Sequence, residues 1–336
     1  MPKVSVLLPI YNAADTLPDT MASISQQSLQ DYEMIAVDDG STDATPQILA
    51  DWAEKDKRIQ VISIPHQGVI TAANEGLAAC IGEYVARMDA DDLMHPDRLA
   101  LQATYLDKHA EIGVVSCLVD GAGEIREGYK IYLAWLNSLV TNADIQREIF
   151  IESPMANPST MLRKSVFQEY GGYQEQSWAE DYDLWLRMYL GGVKFGKVPM
   201  MLHSWRDLPD RLTRTDSRYS LENFIRAKAH YIIQGPLLTR DAIIVWGAGM
   251  MGKRFSKYLV QADLPVVAFV DVDRNKIGRT RRGRPIIAVD QVLTEWEKHE
   301  KPIILAAVGA RGARKLIRAD LTKMGLVEGQ DWWGVA

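Results

Sequence analysis

Apolar and polar positions alternate in blocks along the first part of the chain. Short continuous apolar runs predict buried strands at residues 4–8, 33–37, 59–64 and 84–88. Pro9 is expected to end the first of these strands. Between the runs, apolar residues recur at helical spacing, as in Leu17, Met21 and Ile24. This β-α-β-α rhythm predicts a parallel sheet with helices on both faces, and therefore an α/β fold.

Polar residues follow three of these predicted strands. The segments are Pro9-Ile10-Tyr11-Asn12, Asp38-Asp39-Gly40-Ser41 and Asp89-Ala90-Asp91-Asp92. Ligands of parallel α/β sheets bind at the carboxyl ends of the strands. The convergence of three polar strand exits therefore predicts a nucleotide site at one edge of the sheet.

The last of these segments places three carboxylates at the exit of a buried strand. Charged carboxylates out of water are costly unless they are paired or bind a cation. Two carboxylates spaced D-x-D repel each other, and Mg²⁺ or Mn²⁺, which prefers oxygen ligands, relieves that repulsion. Because such a metal also takes phosphate oxygens, the segment predicts a metal–diphosphate site. The alternative is an acidic loop that caps the helix beginning near Pro96.

The signals weaken in the middle of the chain. Residues 113–119 predict a further strand. The aromatic-rich residues 131–140 predict either an acceptor-facing helix or core packing, and core packing is favoured. Glu180 and Asp181 then begin a helix, where acidic residues are stabilised by the helix dipole.

The hydrophobic pattern restarts after Gly235-Pro236. Residues 242–246 and 266–270 predict strands on either side of a helix. The first of these strands leads into G-x-G-x-x-G and the second ends in an acidic residue, as in dinucleotide-binding units. The nucleotide-binding candidates are therefore Gly247, Gly249, Gly252 and Asp271. Alternatively, the glycines only permit tight strand–helix packing. A P-loop is excluded, because Arg254 stands where Ser or Thr is needed.

These patterns predict a domain at residues 1–234, a linker at 235–241 and a small Rossmann-like α/β domain at 242–336. The formal net charge is −6, distributed as −11 over residues 1–240 and +5 from residue 241 onward. The acidic first part argues against a nucleic-acid partner. The basic run from Arg279 to Arg284 could contact phosphates or an anionic membrane surface, and a solvated loop is the alternative.

The chain contains two cysteines, which fit neither a disulfide framework nor a zinc site. The N-terminus enters a strand directly, so we expect no signal peptide. No apolar run is long enough to predict a transmembrane segment. We therefore expect a cytoplasmic protein, with the inner face of the membrane as a further location.

Four segments resemble the family 2 glycosyltransferases of GT-A fold: VSVLLPIYNAADTL, VDDGSTDAT, ANEGLAACIGEYVARMDADD and GGYQEQSWAEDYDLWLRM. The resemblance covers roughly residues 1–230, and the motifs are specific as an ordered set. It implies a GT-A nucleotide-diphospho-sugar transferase domain ahead of the Rossmann-like domain. It also implies a nucleotide-sugar donor, usually UDP-linked, with Mn²⁺ or Mg²⁺, and inversion at the anomeric carbon.

The resemblance assigns roles at the donor site. Pro9, Tyr11 and Asp39 would lie against the nucleoside, with Asp39 accepting a hydrogen bond from the base. Asp89 would face the ribose or the metal, and Asp91 would be the direct metal ligand. For Asp39, the alternative is a turn residue before Gly40.

The resemblance also implies residues for catalysis and for the leaving group. Asp181 would be the base that takes the proton of the acceptor hydroxyl, supported by Glu180. Three arginines would neutralise the leaving diphosphate, or else form a solvated basic loop: Arg206, Arg211 and Arg214. Many relatives carry a histidine metal ligand where this chain has Leu208. His203 could replace that ligand, although a structural role is favoured for it.

The sequence thus predicts a metal-dependent inverting hexosyltransferase acting in surface-polysaccharide or glycoconjugate assembly. Its acceptor would be a hydroxyl of a glycan, a lipid-linked or a protein-linked molecule. The alternative is a nucleotide-sugar-binding regulatory protein with a decayed transferase domain, which Leu208 favours. A third hypothesis is an oxidoreductase that uses the C-terminal unit.

Overall fold

The computed structural model describes residues 1–122, 126–208 and 211–336. The chain forms two compact units. The first comprises Met1–Ile145, Pro154–Gln176 and Asp183–Thr215, and the second comprises Gln146–Ser153, Ser177–Tyr182 and Asp216–Ala336. Among the described residues, no helix combines the length and apolar character that a membrane span requires.

Within the described residues of the first unit, eight strands form one sheet in the order β3-β2-β1-β4-β7-β6-β8-β5. Their bounds are β1 Val4–Ile10, β2 Tyr32–Asp38, β3 Ile59–Ser63, β4 Tyr84–Arg87, β5 Leu93–Met94, β6 Ile112–Ala122, β7 Met161–Arg163 and β8 Lys194–Arg206. Strands β1 to β4 pair in parallel, as the sequence predicted. Strands β7 and β5 add antiparallel pairs.

The first strand runs past Pro9, where the sequence predicted its end. In a parallel strand, the backbone groups of alternate residues hydrogen-bond to the strands on opposite sides. The Leu7 carbonyl accepts from the Met88 N–H, on the side of β4. Pro9 faces that same side, but the pairing with β4 ends at Leu7 and Arg87. Because no β4 carbonyl needs the missing N–H, the strand continues to Ile10 along β2.

The helices along residues 1–215 are α1 Leu17–Ser25, α2 Thr45–Lys55, α3 Val69–Ala79, α4 Arg98–Lys108, α5 Glu127–Ser138, α6 Asn142–Glu148, α7 Lys164–Tyr170, α8 Glu180–Leu190 and α9 Leu212–Thr215. The predicted stripe of Leu17, Met21 and Ile24 is fully buried against the apolar face of the sheet. The aromatic-rich segment lies in α5, where Leu133 and Leu136 are buried in the core and the partly buried aromatic side chains pack against the same cluster.

The second unit contains a smaller sheet. Over residues 216–336, all of them described, six strands lie in the order β11-β12-β10-β9-β13-β14. Its elements are α10 Leu221–Gln234, β9 Ala242–Trp246, α11 Met250–Gln261, β10 Val266–Val270, β11 Thr280–Arg281, β12 Arg284–Ile287, α12 Val292–Trp296, β13 Pro302–Ala306, α13 Ala313–Lys323 and β14 Trp332–Gly334. The prediction of an α/β domain followed by a smaller α/β domain is confirmed, while the boundaries at 234 and 242 stay predictions.

Candidate active site

The carboxyl ends of β2, β1 and β4 meet at one edge of the first unit's sheet, because these neighbouring strands run parallel. Tyr11 follows β1, Asp39 follows β2 and residues 89–92 follow β4. The three polar segments singled out in the sequence therefore lie at the same edge, where ligands of such sheets bind.

Asp39 is buried and holds the backbone that leads into α3. Its Oδ1 accepts from the Gln67 N–H and its Oδ2 from the Gly68 N–H, both at 2.8 Å. The negative charge thus lies at the N-terminus of α3, where the helix dipole favours it. A carboxylate has about four lone-pair sites, so Asp39 keeps the capacity to accept further donors.

His66 connects Asp39 with Tyr11. Its Nδ1 lies 2.8 Å from Asp39 Oδ2, and its ring stacks on Tyr11 with centroids 4.0 Å apart. Gly40 adopts a φ of +69°, and a Cβ there would press against the His66 backbone. Tyr11 is 47% exposed, so part of an aromatic ring lies accessible beside a buried carboxylate. Pro9 is buried within β1.

Asp89, Asp91 and Asp92 form the acid cluster. Each offers a carboxylate oxygen, and these oxygens all lie within 4.8 Å of one another. Burial, together with the negative charges of Asp92 and Asp89, raises the pKa of Asp91 to about 7. The cluster therefore attracts positive charge.

Asp92 is the anchored member of the acid cluster. It is fully buried, its Oδ1 accepts from the Arg206 backbone N–H at 3.0 Å, and its Oδ2 lies 3.0 Å from His203 Nε2. Both oxygens are thus held by β8, the strand that lies beside the segment. Asp92 is a positioning residue that fixes the loop carrying Asp91.

The proton of His203 can be assigned from its partners. Arg98 Nη1 lies 3.1 Å from His203 Nδ1, and a guanidinium only donates, so Nδ1 accepts. The proton therefore resides on Nε2 and is donated to Asp92. Burial and the neighbouring Arg98 charge lower the pKa of His203 well below its usual range, which agrees with a neutral imidazole. Because both ring nitrogens are engaged, His203 does not serve as the substitute metal ligand considered from the sequence.

Asp89 is paired but remains partly exposed. Its Oδ1 lies 2.6 Å from Arg87 Nη2. Arg98 also donates to the Arg87 backbone oxygen at 2.9 Å, which ties the end of β4 to the start of α4. Asp91 differs from both neighbours: among the described residues, no side chain donates a hydrogen bond to it or pairs with it.

The three predicted arginines have different partners. Arg206 pairs with Asp19 at 2.8 Å, and Arg214 pairs with Asp207. Arg211 stacks over the Trp205 ring at 4.2 Å. Burial raises the pKa of both Asp91 and Asp92, and the positive charge of Arg211 partly offsets that rise. Of these three arginines, Arg211 is therefore the one whose charge acts on Asp91 and Asp92.

The residues present fit a divalent cation. The acid cluster supplies hard oxygen donors of the kind that Mg²⁺ and Mn²⁺ prefer. Asp91 is the carboxylate without a side-chain partner among the described residues, and Asp89 is the nearest accessible second donor. Leu208 offers only a hydrocarbon side chain, so that position supplies no side-chain ligand.

Glu180 and Asp181 begin α8 and belong to the second unit. Glu180 is buried, and the Tyr219 hydroxyl lies 2.9 and 2.8 Å from its two carboxylate oxygens. Burial and the negative charges of Glu180 and Asp181 raise the pKa of Tyr219, so the hydroxyl stays protonated and donates. Glu180 is thereby fixed beside the proposed base.

The three glycines of the G-x-G-x-x-G segment differ in their backbone conformation and in the space around them. Gly247 adopts a φ of +120°, and a Cβ on Gly252 would overlap the Gly247 carbonyl, so both permit close strand–helix packing. A Cβ on Gly249 would meet nothing within 4 Å. Asp271 accepts from the Ala248 N–H at 3.1 Å and lies 3.1 Å from Lys276 Nζ. Asp271 thus supports the glycine loop, and its predicted nucleotide role stays a prediction.

Sequence reasoning missed three residues of these networks, His66, Arg98 and Tyr219, and it missed the anchoring role of Asp92. His66 was detectable, since it precedes Gly68 and follows β3 at the same sheet edge. A fully buried arginine such as Arg98 carries no mark in a single sequence. Tyr219 lies far along the chain from Glu180.

Two family profiles and several known proteins are similar to this chain. The profile of glycosyl transferase family 2 matches residues 5–171, and a C2185-like N-terminal profile matches residues 239–328. An uncharacterized glycosyltransferase of Haemophilus influenzae is 34% identical over 55% of this chain, and the match spans only 59% of that relative. The amylovoran biosynthesis glycosyltransferase AmsE of Erwinia amylovora is 30% identical over 62% of this chain and 78% of its own length.

Two solved structures share the fold. Staphylococcus aureus TarS 1-349 in complex with UDP-GlcNAc gives a TM-score of 0.57 at 19% identity, covering 76% of this chain and 71% of that one. The mannosyltransferase PcManGT of Pyrobaculum calidifontis, in complex with GDP-Man and Mn²⁺, gives 0.51 at 21% identity over 69% and 62%. The predicted GT-A fold is confirmed by these similarities.

Proposed function

Because this chain belongs to glycosyl transferase family 2, we propose that it transfers a sugar from a nucleotide-sugar donor to a hydroxyl acceptor. The donor is proposed to be UDP-linked, the sugar a hexose and the reaction inverting. The product is proposed to be a surface polysaccharide or glycoconjugate, made in the cytoplasm or at the inner face of the membrane. One relative is named for amylovoran biosynthesis, and one structural neighbour was solved with UDP-GlcNAc.

The observation that carries the proposal is the acid cluster at the strand edge that also holds Asp39. Asp39 and Tyr11 would bind the nucleoside, with Pro9 shaping the edge below them. Asp91, with Asp89, would hold Mn²⁺ or Mg²⁺. The bound cation would supply positive charge that stabilises the leaving diphosphate. The solved structure of PcManGT, which shares the fold, contains Mn²⁺ together with GDP-Man, and this supports the choice of cation.

The proposed reaction is a single displacement. The acceptor oxygen bonds to the anomeric carbon while the bond from that carbon to the diphosphate oxygen breaks, which inverts the configuration. Asp181 takes the acceptor proton, and Glu180 contacts the sugar hydroxyls. Arg211, with Arg206 and Arg214, offsets the charge that develops on the leaving diphosphate. These roles follow the family motifs residue by residue.

A nucleotide-sugar-binding regulatory protein is the second candidate. The observation that favours it is Leu208, which stands where many relatives have a histidine ligand. Such a protein would bind UDP-sugars with Mn²⁺ but would neither hydrolyse nor transfer them.

A donor screen separates the two candidates. We would measure thermal stabilisation by nucleotide sugars in the presence of Mn²⁺, followed by release of the nucleoside diphosphate. We expect Asp91→Asn to lose the Mn²⁺-dependent stabilisation. Asp181→Asn should keep it but lose turnover by about 10²- to 10⁴-fold. The exposed acid Asp51 provides the matched control, Asp51→Asn.

Binding without turnover in the wild-type protein would favour the regulatory candidate. Full turnover by Asp181→Asn would remove the base assignment. If no nucleotide sugar stabilises the wild-type protein with or without Mn²⁺, both candidates fail.

A further inference from the structure

An aromatic cluster lies on α5 and β8, outside the acid cluster. It consists of Tyr129, Tyr132, Trp135 and Trp205. The centroid of the Trp205 ring lies 5.4 Å from that of Tyr129 and 6.4 Å from that of Tyr132, and Tyr132 lies 5.8 Å from Trp135. Because the α5 members are spaced by three residues, they lie along one side of the helix.

The α5 members of this cluster remain at the protein surface. Leu133 and Leu136 anchor the helix in the core, at 6% and 0% exposure. Tyr129, Tyr132 and Trp135 are each only partly buried. The three rings pack against the core cluster that contains these leucines, and the part of each ring that stays exposed adds aromatic surface.

Trp205 adds a polar feature. The side chain is 8% exposed, and among the described residues its Nε1 has no hydrogen-bond acceptor. Buried N–H groups in proteins nearly always have a partner. A ligand rich in oxygen acceptors would supply one.

Arg211 links the aromatic cluster with the acid cluster. Its guanidinium lies 4.2 Å from the centroid of the Trp205 ring, and its Nη1 lies 3.4 Å from the Tyr129 hydroxyl. The same guanidinium attracts Asp91 and Asp92. The aromatic rings therefore begin beside the proposed diphosphate site. From Tyr129 to Trp135 they extend about 9 Å along α5, beyond the reach of one donor sugar.

We propose that the aromatic cluster binds a pyranose ring of the acceptor, so that the acceptor is a carbohydrate chain. This rests on the proposed glycosyltransferase function. The C–H face of a pyranose is apolar and partially positive, and it matches the negative face of an aromatic ring. The hydroxyls of the sugar would accept from Trp205 Nε1 and exchange hydrogen bonds with Tyr129.

The test uses methyl β-D-glucopyranoside, methyl β-D-galactopyranoside and methyl α-D-mannopyranoside as probes. Saturation-transfer NMR on the full chain, with UDP and Mn²⁺ present to fill the donor site, reports which sugar C–H groups touch the protein. We expect a signal with the wild-type protein and a loss of affinity of about three- to tenfold in Tyr132→Leu and in Trp135→Leu. Leucine keeps apolar bulk at each position but removes the ring. Ile131→Ala, an exposed change on the same helix, is the control and should keep the signal.

UDP binding with Mn²⁺, measured by thermal shift on the same samples, separates this inference from the proposed function. If UDP binds but no sugar probe gives a signal, the acceptor subsite is assigned wrongly while the donor site stands. The same holds if both leucine variants keep the wild-type sugar signal. If UDP does not bind but the probes report the rings, the subsite stands and the donor site fails. Co-sedimentation with phosphatidylglycerol–phosphatidylethanolamine vesicles adds a further arm. Ring-dependent vesicle binding without a sugar signal would overturn the proposal in favour of a membrane contact.

Discussion

The His203 imidazole lies 3.0 Å from the Asp92 carboxylate and is neutral, with its other nitrogen accepting from Arg98. One ring thus bridges the buried Arg98 guanidinium and the buried Asp92 carboxyl group, and His203 lies 111 residues along the chain from Asp92. The pairing removes Asp92 from the set of accessible acids, whereas Asp89 stays partly exposed and Asp91 has no side-chain partner among the described residues. Within the acid cluster, Asp92 is therefore the anchored carboxyl group, and its neighbour Asp91 is the proposed metal ligand.

Removing this imidazole should destabilise the fold. His203→Ala leaves Arg98 and Asp92 buried without their shared partner, and breaking a buried charged network costs about 3–5 kcal/mol. We expect the free energy of unfolding, measured by urea denaturation, to fall by about that amount. The Mn²⁺-dependent stabilisation by UDP should weaken as well, because the loop that carries Asp91 loses its anchor.

His109, whose side chain is 45% exposed, provides the control for this experiment. His109→Ala should change stability by no more than about 0.5 kcal/mol, as is usual for surface positions. An equal effect of the two substitutions would contradict the anchoring role of His203.

Tyr219→Phe tests the hydroxyl that holds Glu180. The variant keeps the ring but removes the hydroxyl that donates to a buried carboxylate, at a cost of about 1–3 kcal/mol in stability. If Tyr219 positions Glu180 for the reaction, turnover should fall about tenfold while the KM for the donor stays within about twofold. Tyr258→Phe removes a comparable tyrosine–carboxylate contact, with Glu222, and should leave turnover unchanged. A donor KM that rises while kcat stays constant would assign Glu180 to ground-state binding instead.

Continuous apolar runs were sufficient to locate the buried strands. The observed bounds of β9 and β10 coincide with the predicted 242–246 and 266–270, since buried parallel strands are apolar on both faces. Strand β1 was predicted too short, because the effect of Pro9 depends on where its neighbour β4 ends. The strand edge that holds Asp39 and Asp91 followed from topology alone. The partners of Asp92 and Glu180 could not be predicted, because tertiary pairing between distant residues leaves no local pattern.

The glycines of the second unit should respond differently to alanine. Gly252→Ala places a Cβ against the Gly247 carbonyl, and we expect a loss of about 3 kcal/mol in the stability of this unit. Gly249→Ala meets open space and should be tolerated within about 0.5 kcal/mol. Thermal denaturation of the full chain measures both. Equal losses of stability in the two variants would mean that the glycine loop packs differently. A loss of nucleotide affinity in Gly249→Ala alone would assign the loop to ligand binding.

The buried side chain of Lys197 should make the stability of the folded protein depend on pH. Its side chain is 1% exposed and Nζ donates to the Leu136 carbonyl at 2.6 Å, near the C-terminus of α5. Burial lowers the pKa of Lys197 to about 7, against roughly 10.4 in the unfolded chain. Below pH 7 both states carry the proton, so the cost of the buried charge is fully present. Between pH 7 and about 10 the folded state releases the proton while the unfolded state keeps it, so stability rises by up to about 1.4 kcal/mol per pH unit from this group.

Lys197→Met should therefore raise stability at pH 6–7 and remove this contribution to the slope above pH 7. Urea denaturation at pH 6, 7, 8 and 9 measures the difference between variant and wild type at each pH, which cancels the groups that both proteins share. Lys194→Met, at an exposed position of the same strand β8, controls for the loss of a positive charge and should give a difference that is flat with pH. A flat difference for Lys197→Met as well would show that Lys197 stays charged in the folded protein. In that case the carbonyl end of α5, through its dipole and its hydrogen bond, would stabilise the ammonium enough to offset its burial.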